Sequence, residues 1–449
     1  MTNKVPMSND QRSASLGRAV GLWALRLGHL LVIGAWSLSS VGCANQNEIT
    51  AAKAADAYFA GNYEQSREVL RPLAKITDEN FVLNNVRLGY ASLPDYRLDE
   101  AEAALLNAYE VMNSVGVNDG GRSLGALLVD EKLKIWKGEP FERAMANFYL
   151  GVLYTMRQDP DNARAAFENA LFKLRDYETG AKDDSFKEVQ SNFAPAEIML
   201  ARTWQRLGRD DLARATFDAV IKRHPHLTAV ADFETHQRSN LLLVIDYGVG
   251  PRKQTDFDGA IVGFGPPPDV AGMIPEPRVT IDGQPHPIAG LSRPTVDLLA
   301  LAQDRKWQDI DTFRTIKSGV GTGLIAAGAV WGVKGAHESG GDQRRDLIAS
   351  AALIGAGLIL KAASQADVRQ WETLPRAVFI LPLQVPPGEH DIVIDFPGYG
   401  AGSQYWRGLI VPPQGDATYY IRMQRWNAGP FDFQGLAQPV VGLDTQMQP

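Results

Sequence analysis

Four charged side chains, Glu139, Glu142, Asp367 and Arg369, are the residues of this chain best suited to act together. Two acids at the start of a helix and a distant Asp-x-Arg pair could converge on a polar cleft. Paired carboxylates of that kind act as acid and base in glycan hydrolysis, a chemistry that leaves no short motif. The competing reading is structural, because charged groups near domain junctions commonly pair with one another. Other chemistries lack their residues. The seven histidines include no His-Glu-x-x-His, and there is no nucleophile elbow, phosphate loop with its lysine, or metal cluster. Gly319-Val320-Gly321-Thr322-Gly323 has neither the preceding strand nor the following lysine of a nucleotide loop. Asp256-Phe257-Asp258-Gly259 lacks the downstream glutamate of a calcium loop and reads as a turn. The expectation is no catalytic residue, no metal and no cofactor.

Cys43, the single cysteine, offers a covalent chemistry instead. Lys4, Arg12, Arg18 and Arg26 precede an apolar run over 27–38, the charged and apolar regions of a secretory signal, too short to span a bilayer. The following Ser40-Val41-Gly42-Cys43 resembles a bacterial lipobox, in which the cysteine becomes the lipidated first residue. Leucine is usual where Ser40 stands, and Leu38 lies two residues further upstream. An ordinary signal peptide with a chance cysteine is the alternative. Ala44 is not the aspartate associated with inner-membrane retention, so the expected address is the periplasmic face of the outer membrane, with the lipid on Cys43 as the membrane contact. One cysteine leaves no disulfide framework. A formal net charge of −7 argues against a nucleic-acid partner. With 45% hydrophobic and 22% charged residues over 449 positions, the composition is that of a globular protein of about two to four domains.

The elements that would position these residues begin with repeats. Leu150, Gly151 and Tyr154, followed by Ala163, Phe167 and Ala170, have the small and large apolar spacing of a tetratricopeptide-like helix pair. Asp159-Pro160-Asp161 makes its turn, since proline cannot continue one helix and aspartate caps the next. Leu200, Ala201, Trp204, Ala213 and Phe217 repeat the pattern, and Pro225 closes the unit. The polar residues 175–192 between the two copies are an insertion or a helix extension. Weaker copies occupy 54–73, around Gly61-Asn62-Tyr63, and 88–108, with Ala101, Leu105 and Ala108 on one face. Four pairs predict a helical solenoid over 43–240, and such arrays bind peptides or partner domains on a concave face.

At Leu241 the period changes. Residues 241–245 are a strand-length apolar run, and 241–310 is expected to be an irregular, proline-rich, β-containing segment, with Arg278-Val279-Thr280-Ile281 entering a turn at Asp282-Gly283. Residues 311–373 predict a glycine-rich apolar helical hairpin, either buried, membrane-inserted or self-associating. Residues 374–426 alternate strand and turn, which predicts a small antiparallel sandwich-like module, and 427–449 an irregular tail. The fold class expected is α+β, mainly α.

Three blocks occur in order: Trp136-x-Gly138-Glu139-Pro140-Phe141-Glu142-Arg143, Val244-Ile245-Asp246-Tyr247-Gly248-x-x-Pro251, and Ala366-Asp367-x-Arg369-x-Trp371-x-x-Leu374-Pro375. Together with the repeats they resemble a family of bacterial tetratricopeptide-containing outer-membrane lipoproteins of largely uncharacterised function. The likeness spans about residues 45–425, with Trp136, Gly138, Glu139, Glu142, Asp367, Arg369 and Trp371 as its signature residues. It implies no established activity, but a partnership with other envelope proteins, some linked to peptidoglycan-synthase activation. Pro140 and Glu139 should open a helix, and Asp367, Arg369 and Trp371 should close the apolar hairpin, with Arg369 paired to an acid and Trp371 filling the junction with the β module. The function expected is a lipid-anchored periplasmic scaffold binding an envelope protein, not an enzyme. The alternatives are a carboxylate-based glycan enzyme and an oligomeric export or assembly component built on the hairpin.

Overall fold

Which surfaces a helix or strand must bury decides the layers of this protein. A computed structural model describes residues 46–113, 135–174, 176–177, 188–189, 193–256, 261–267, 274–304, 369–397, 403–423 and 431–432. Residues 53–449 form one unit; of residues 1–52 only the opening turns of the first helix are described. Cys43, Asp367 and the glycine-rich residues 311–368 lie outside the described residues, as does most of the tail.

Helices predominate. They run α1 Gln46–Phe59, α2 Tyr63–Leu73, α3 Phe81–Ser92, α4 Leu98–Asn113, α5 Pro140–Met156, α6 Pro160–Lys173, α7 Ala194–Arg206 and α8 Asp210–Arg223, followed by α9 Thr228–His236. The two members of each later pair differ in a telling way. In α3 and α5 nearly every residue is buried, and α7 is buried from Ala194 to Thr203. Their partners bury a single stripe: Ala101, Leu105 and Ala108 on α4, Ala163, Phe167 and Ala170 on α6, Ala213, Phe217 and Val220 on α8. A one-stripe helix faces water on its other side, whereas an all-round buried helix is covered on both. The first helices are therefore a middle layer.

Close approach within a pair needs glycine. A Cβ on Gly151 would lie 2.5 Å from the Phe167 ring, and one on Gly89 would lie 2.7 Å from Leu105 Cγ. The insertion after α6 is not a helix extension: α6 stops at Lys173, and the strands β1 Asp176–Tyr177 and β2 Glu188–Val189 pair with each other.

What covers the other side of the first helices is a sheet. The strands are β3 Leu241–Tyr247, β4 Arg252–Asp256, β5 Ile261–Gly265, β6 Arg278–Ile281, β7 Gln284–His286, β8 Val296–Asp297, β9 Ala377–Leu383, β10 Gly388–Asp395, β11 Gln404–Val411, β12 Ala417–Arg422 and β13 Phe431–Asp432, with a short helix α10 Leu298–Ala302 after β8. One sheet has the order β12-β3-β9-β8, the other β13-β11-β10-β6-β7. Every residue of β3, β9 and β12 is buried, as expected for strands covered on both faces. In β10 and β11 burial falls on one side, at Ile392, Ile394, Trp406, Leu409 and Val411, so the second sheet is an outer layer. Tyr247 stacks on Phe396 at 4.4 Å between ring centres, joining the two sheets. The order of layers is one-stripe helices, buried helices, central sheet, outer sheet.

This pairing corrects two expectations. The middle and C-terminal segments do not make separate β structures: β3 lies between β9 and β12, and β6 pairs with β10. The sheets are not purely antiparallel either, because β12 runs parallel to β3 and β13 parallel to β11. The physical reason is that an apolar strand such as β3 has to be flanked and covered on both faces, and no neighbour in sequence can do that alone. Residues 369–373 form turn and irregular backbone rather than the end of a helical hairpin, and part of the expected tail is strand β13.

Replacing Gly151 by Ala should destabilise the fold by on the order of 1–2 kcal/mol, since the overpacking against buried Phe167 outweighs the roughly 1 kcal/mol gained in helix propensity. Urea unfolding measures it, and adding Phe167→Leu should restore part of the loss.

Candidate functional site

Successive strand residues point to opposite faces, so β3 aims Tyr247 at the outer sheet and Asp246 at the helices. Asp246 is fully buried, and its Oδ2 accepts hydrogen bonds from Tyr149 (2.6 Å), Tyr420 (2.6 Å) and Tyr90 (2.7 Å). Tyr90 comes from α3, Tyr149 from α5 and Tyr420 from β12. Arg422, also on β12, donates to the Asp246 carbonyl at 3.2 Å, the Gly248 carbonyl at 2.5 Å and the Tyr58 hydroxyl of α1 at 3.1 Å. The Tyr58 and Tyr90 rings stack at 5.3 Å, and Trp371 meets Tyr90 edge-on at 5.4 Å. Burial pushes the Asp246 carboxyl up, while the Arg422 charge and the tyrosine hydroxyls pull it back down. Burial also raises Tyr90, Tyr149 and Tyr420, so all three remain protonated donors. The arrangement neutralises and holds a carboxylate among buried side chains.

The described signature residues meet at one end of this network. Pro140 is the first residue of α5 and Glu139 its N-cap, as the residue types require. Glu142 Oε2 accepts from the Glu139 backbone N–H at 2.8 Å, and its Oε1 accepts from the Trp371 N–H at 2.7 Å. Lys253, buried on β4, reaches Glu139 at 2.8 Å. Trp136 donates from its indole to the Arg369 carbonyl at 3.2 Å and from its backbone to Glu79 at 2.9 Å. Arg369 donates to the same Glu79 carbonyl at 2.7 Å and to Asn80 Oδ1 at 3.3 Å. Gly138 has φ +76°, a left-handed turn pressed against the Trp136 ring. Trp371, almost fully buried, donates its indole proton to Thr373 at 2.9 Å. Glu139, Glu142 and Arg369 thus come together as a seam joining 135–142, 79–80 and 369–373. Both oxygens of Glu142 are held by backbone donors, which leaves no open carboxylate pair for acid–base work here. Burial pushes the Glu142 carboxyl up to about 7, against the pull of Lys253 and the two N–H groups.

A third tie fixes the turn between β11 and β12. Asp416 accepts from Arg202 of α7 at 2.6 Å and from Arg206 Nε at 2.9 Å, while Gln158 donates to its carbonyl at 3.1 Å. The repeat residues Leu150, Gly151, Tyr154, Ala163, Phe167, Ala170, Leu200, Ala201, Ala213 and Phe217 are buried between helices; Trp204 is half-buried, with Arg164 5.6 Å above its ring. The Asp246 network itself was missed by sequence reasoning. Its one signal was a lone acid inside the apolar run of β3, which a strand covered on both faces could not leave unpaired. Among the described residues no group of His, Cys, Asp and Glu is placed to hold a metal ion, and no helix is long and apolar enough to cross a membrane.

A tetratricopeptide-repeat family model matches residues 196–226, the α7–α8 pair and the turn after it. Among solved structures the chain is similar to MamA, at 14% identity over 43% of this chain and 86% of that one, with a TM-score of 0.27. It is also similar to a thermophilic TPR protein of Thermus thermophilus, at 17% identity over 49% of this chain and 96% of that one, with a TM-score of 0.27. No curated protein matches the chain. The chain therefore contains a tetratricopeptide repeat, a unit that speaks for a protein-interaction scaffold rather than an enzyme.

Asp246→Asn should cost about 2–3 kcal/mol in urea unfolding, because a neutral amide oxygen is a weaker acceptor for the three buried tyrosine hydroxyls, whereas Tyr149→Phe should cost about 1–2 kcal/mol. Glu142 gives a pH test. The folded chain holds its proton up to about 7, and the unfolded chain releases it near 4.5. The stability this group contributes is present below 4.5 and lost as pH rises through 7. Between pH 5 and 8 the wild-type urea midpoint should therefore fall relative to that of Glu142→Gln, which does not titrate; parallel profiles would contradict the protonated state.

Proposed function

We propose that this chain is a lipid-anchored scaffold of the bacterial cell envelope, held at the periplasmic face of the outer membrane through Cys43 and binding another envelope protein through its helical repeats. The observation that carries the scaffold is the tetratricopeptide repeat at 196–226 within a run of helix pairs. The anchor rests on Ser40-Val41-Gly42-Cys43 after a basic and then apolar leader. The three signature blocks support an envelope setting, because they add to the repeats what an anonymous repeat protein lacks.

One feature of the fold refines how a partner is bound. The face that the first helices of the pairs would offer is already covered by β12, β3 and β9, through Asp246, Arg422 and Asp416. A partner therefore meets the repeats from the side of α2, α4, α6 and α8, or meets the outer sheet. Glu139 and Glu142 lie in the seam, held by Lys253 and by backbone donors, and do not support a glycan-cleaving reading.

Affinity purification of the intact chain from crosslinked envelopes should recover the same protein partner reproducibly, and recovery of none would overturn the scaffold. Cys43→Ser should move the protein from the membrane to the soluble fraction; continued membrane attachment would overturn the lipid anchor while leaving the scaffold intact.

A further inference from the structure

At the rim of the outer sheet, away from the buried network, a histidine stands between two oxygen acceptors. His390, at the start of β10, has Nδ1 2.7 Å from Asp282 Oδ2 and Nε2 2.8 Å from the Pro386 carbonyl. Its side chain is only 10% exposed although its partner Asp282 is 54% exposed. A neutral imidazole carries one N–H and can satisfy one acceptor; it then sets a lone pair against the oxygen of the other. Only the imidazolium donates to both. Asp282 occupies the turn of the β6–β7 hairpin with φ +48°, next to Gly283 at φ +76°, the left-handed pair that a two-residue hairpin turn demands. Its second oxygen accepts from the Asp391 N–H at 2.9 Å, so the carboxylate bridges hairpin and strand.

The charged groups around the ring come from the β6–β7 turn, β10 and β11. Asp282 faces the ring directly. Asp391, the next residue, sits in the bulge of the β10–β11 ladder, its carboxylate held by the Tyr405 hydroxyl at 2.8 Å and the Gly408 N–H at 3.2 Å. Glu389 precedes His390 on the same strand. The nearest cation from β11, Arg407, lies over the Tyr405 ring at 5.4 Å. The hydrogen bond from His390 holds the Asp282 carboxyl below its usual range.

We infer that His390 is a proton-operated latch, which as imidazolium ties the β6–β7 hairpin to the start of β10 and as neutral imidazole lets one of its two contacts go. Because β7 is the outermost strand of its sheet, the latch governs how firmly a sheet edge is ordered. The window follows from the two partners. Asp282, with its lowered value, contributes above the ordinary carboxylate range, and this contribution is lost as pH falls through that lowered value. The His390 contribution is present while the ring is charged and donates to both oxygens, and it is lost when the ring gives up a proton.

Amide hydrogen exchange on the full chain, expressed as protection factors corrected for the intrinsic pH effect, tests this. From pH 5.5 to 7.5 protection at Asp282, Gly283 and Asp391 should fall about three- to tenfold, the worth of one hydrogen bond, while the β3–β9 ladder stays unchanged. His390→Gln should abolish that pH response. Equal protection at both pH values, or the same response in His390→Gln, overturns the latch. Should the variant fold poorly, the nitrogen shifts of the His390 ring in the wild-type chain decide. Protons on both nitrogens at pH 5.5 support the latch, and a single neutral tautomer there overturns it.

Discussion

A carboxylate sealed in the middle of a protein has to be given donors, and the placement of Asp246 on β3 imposes that requirement on everything around it. The strand is apolar on both faces, so it lies between two layers; its one acid points at the helices and cannot reach water. Donors can come only from what packs on that face. They are Tyr90 and Tyr149 from two different helix pairs and Tyr420 from the parallel neighbour strand, with Arg422 adding a positive charge. Three hydroxyls on one oxygen fix the distance between helices and sheet more tightly than apolar packing does, because hydrogen bonds are directional and dispersion contacts are not.

The consequence for function is that the repeats serve as a wall for the chain's own sheet. Nearly continuous burial along α3, α5 and α7 and single-stripe burial along α4, α6 and α8 are two sides of the same fact. The charged tie from Arg202 and Arg206 to Asp416 secures the start of β12, and Arg422 secures its other end through the Tyr58 hydroxyl and the Gly248 carbonyl, while the Glu142–Trp371 and Arg369–Glu79 bonds close the seam. Trp136, Glu139, Glu142, Arg369 and Trp371 therefore act as fasteners between distant segments of this chain.

Much of the local structure was legible. Gly151 opposite Phe167, the Asp159-Pro160 turn, Pro140 opening α5 behind Glu139 and the Asp282-Gly283 hairpin all follow from backbone sterics and short-range spacing. The convergence of Glu139, Glu142 and Arg369 was one of two readings the residues allowed, and what the sequence could not show is that the donors occupying Glu142 are backbone amides. Side-chain types reveal charge partners; they do not reveal where a distant main chain will pass.

Helix pairs, strand positions and turns depend on neighbours within a few residues, and these the sequence determined by itself. The tertiary structure alone decided that β3 would sit between β9 and β12, merging segments separated by more than a hundred residues. It also decided that the first helices would be roofed by that sheet and that Asp246 would collect its tyrosines. Strand order and layer stacking are set by which apolar faces remain uncovered once every element has formed. That quantity belongs to the whole chain, and no window of residues contains it.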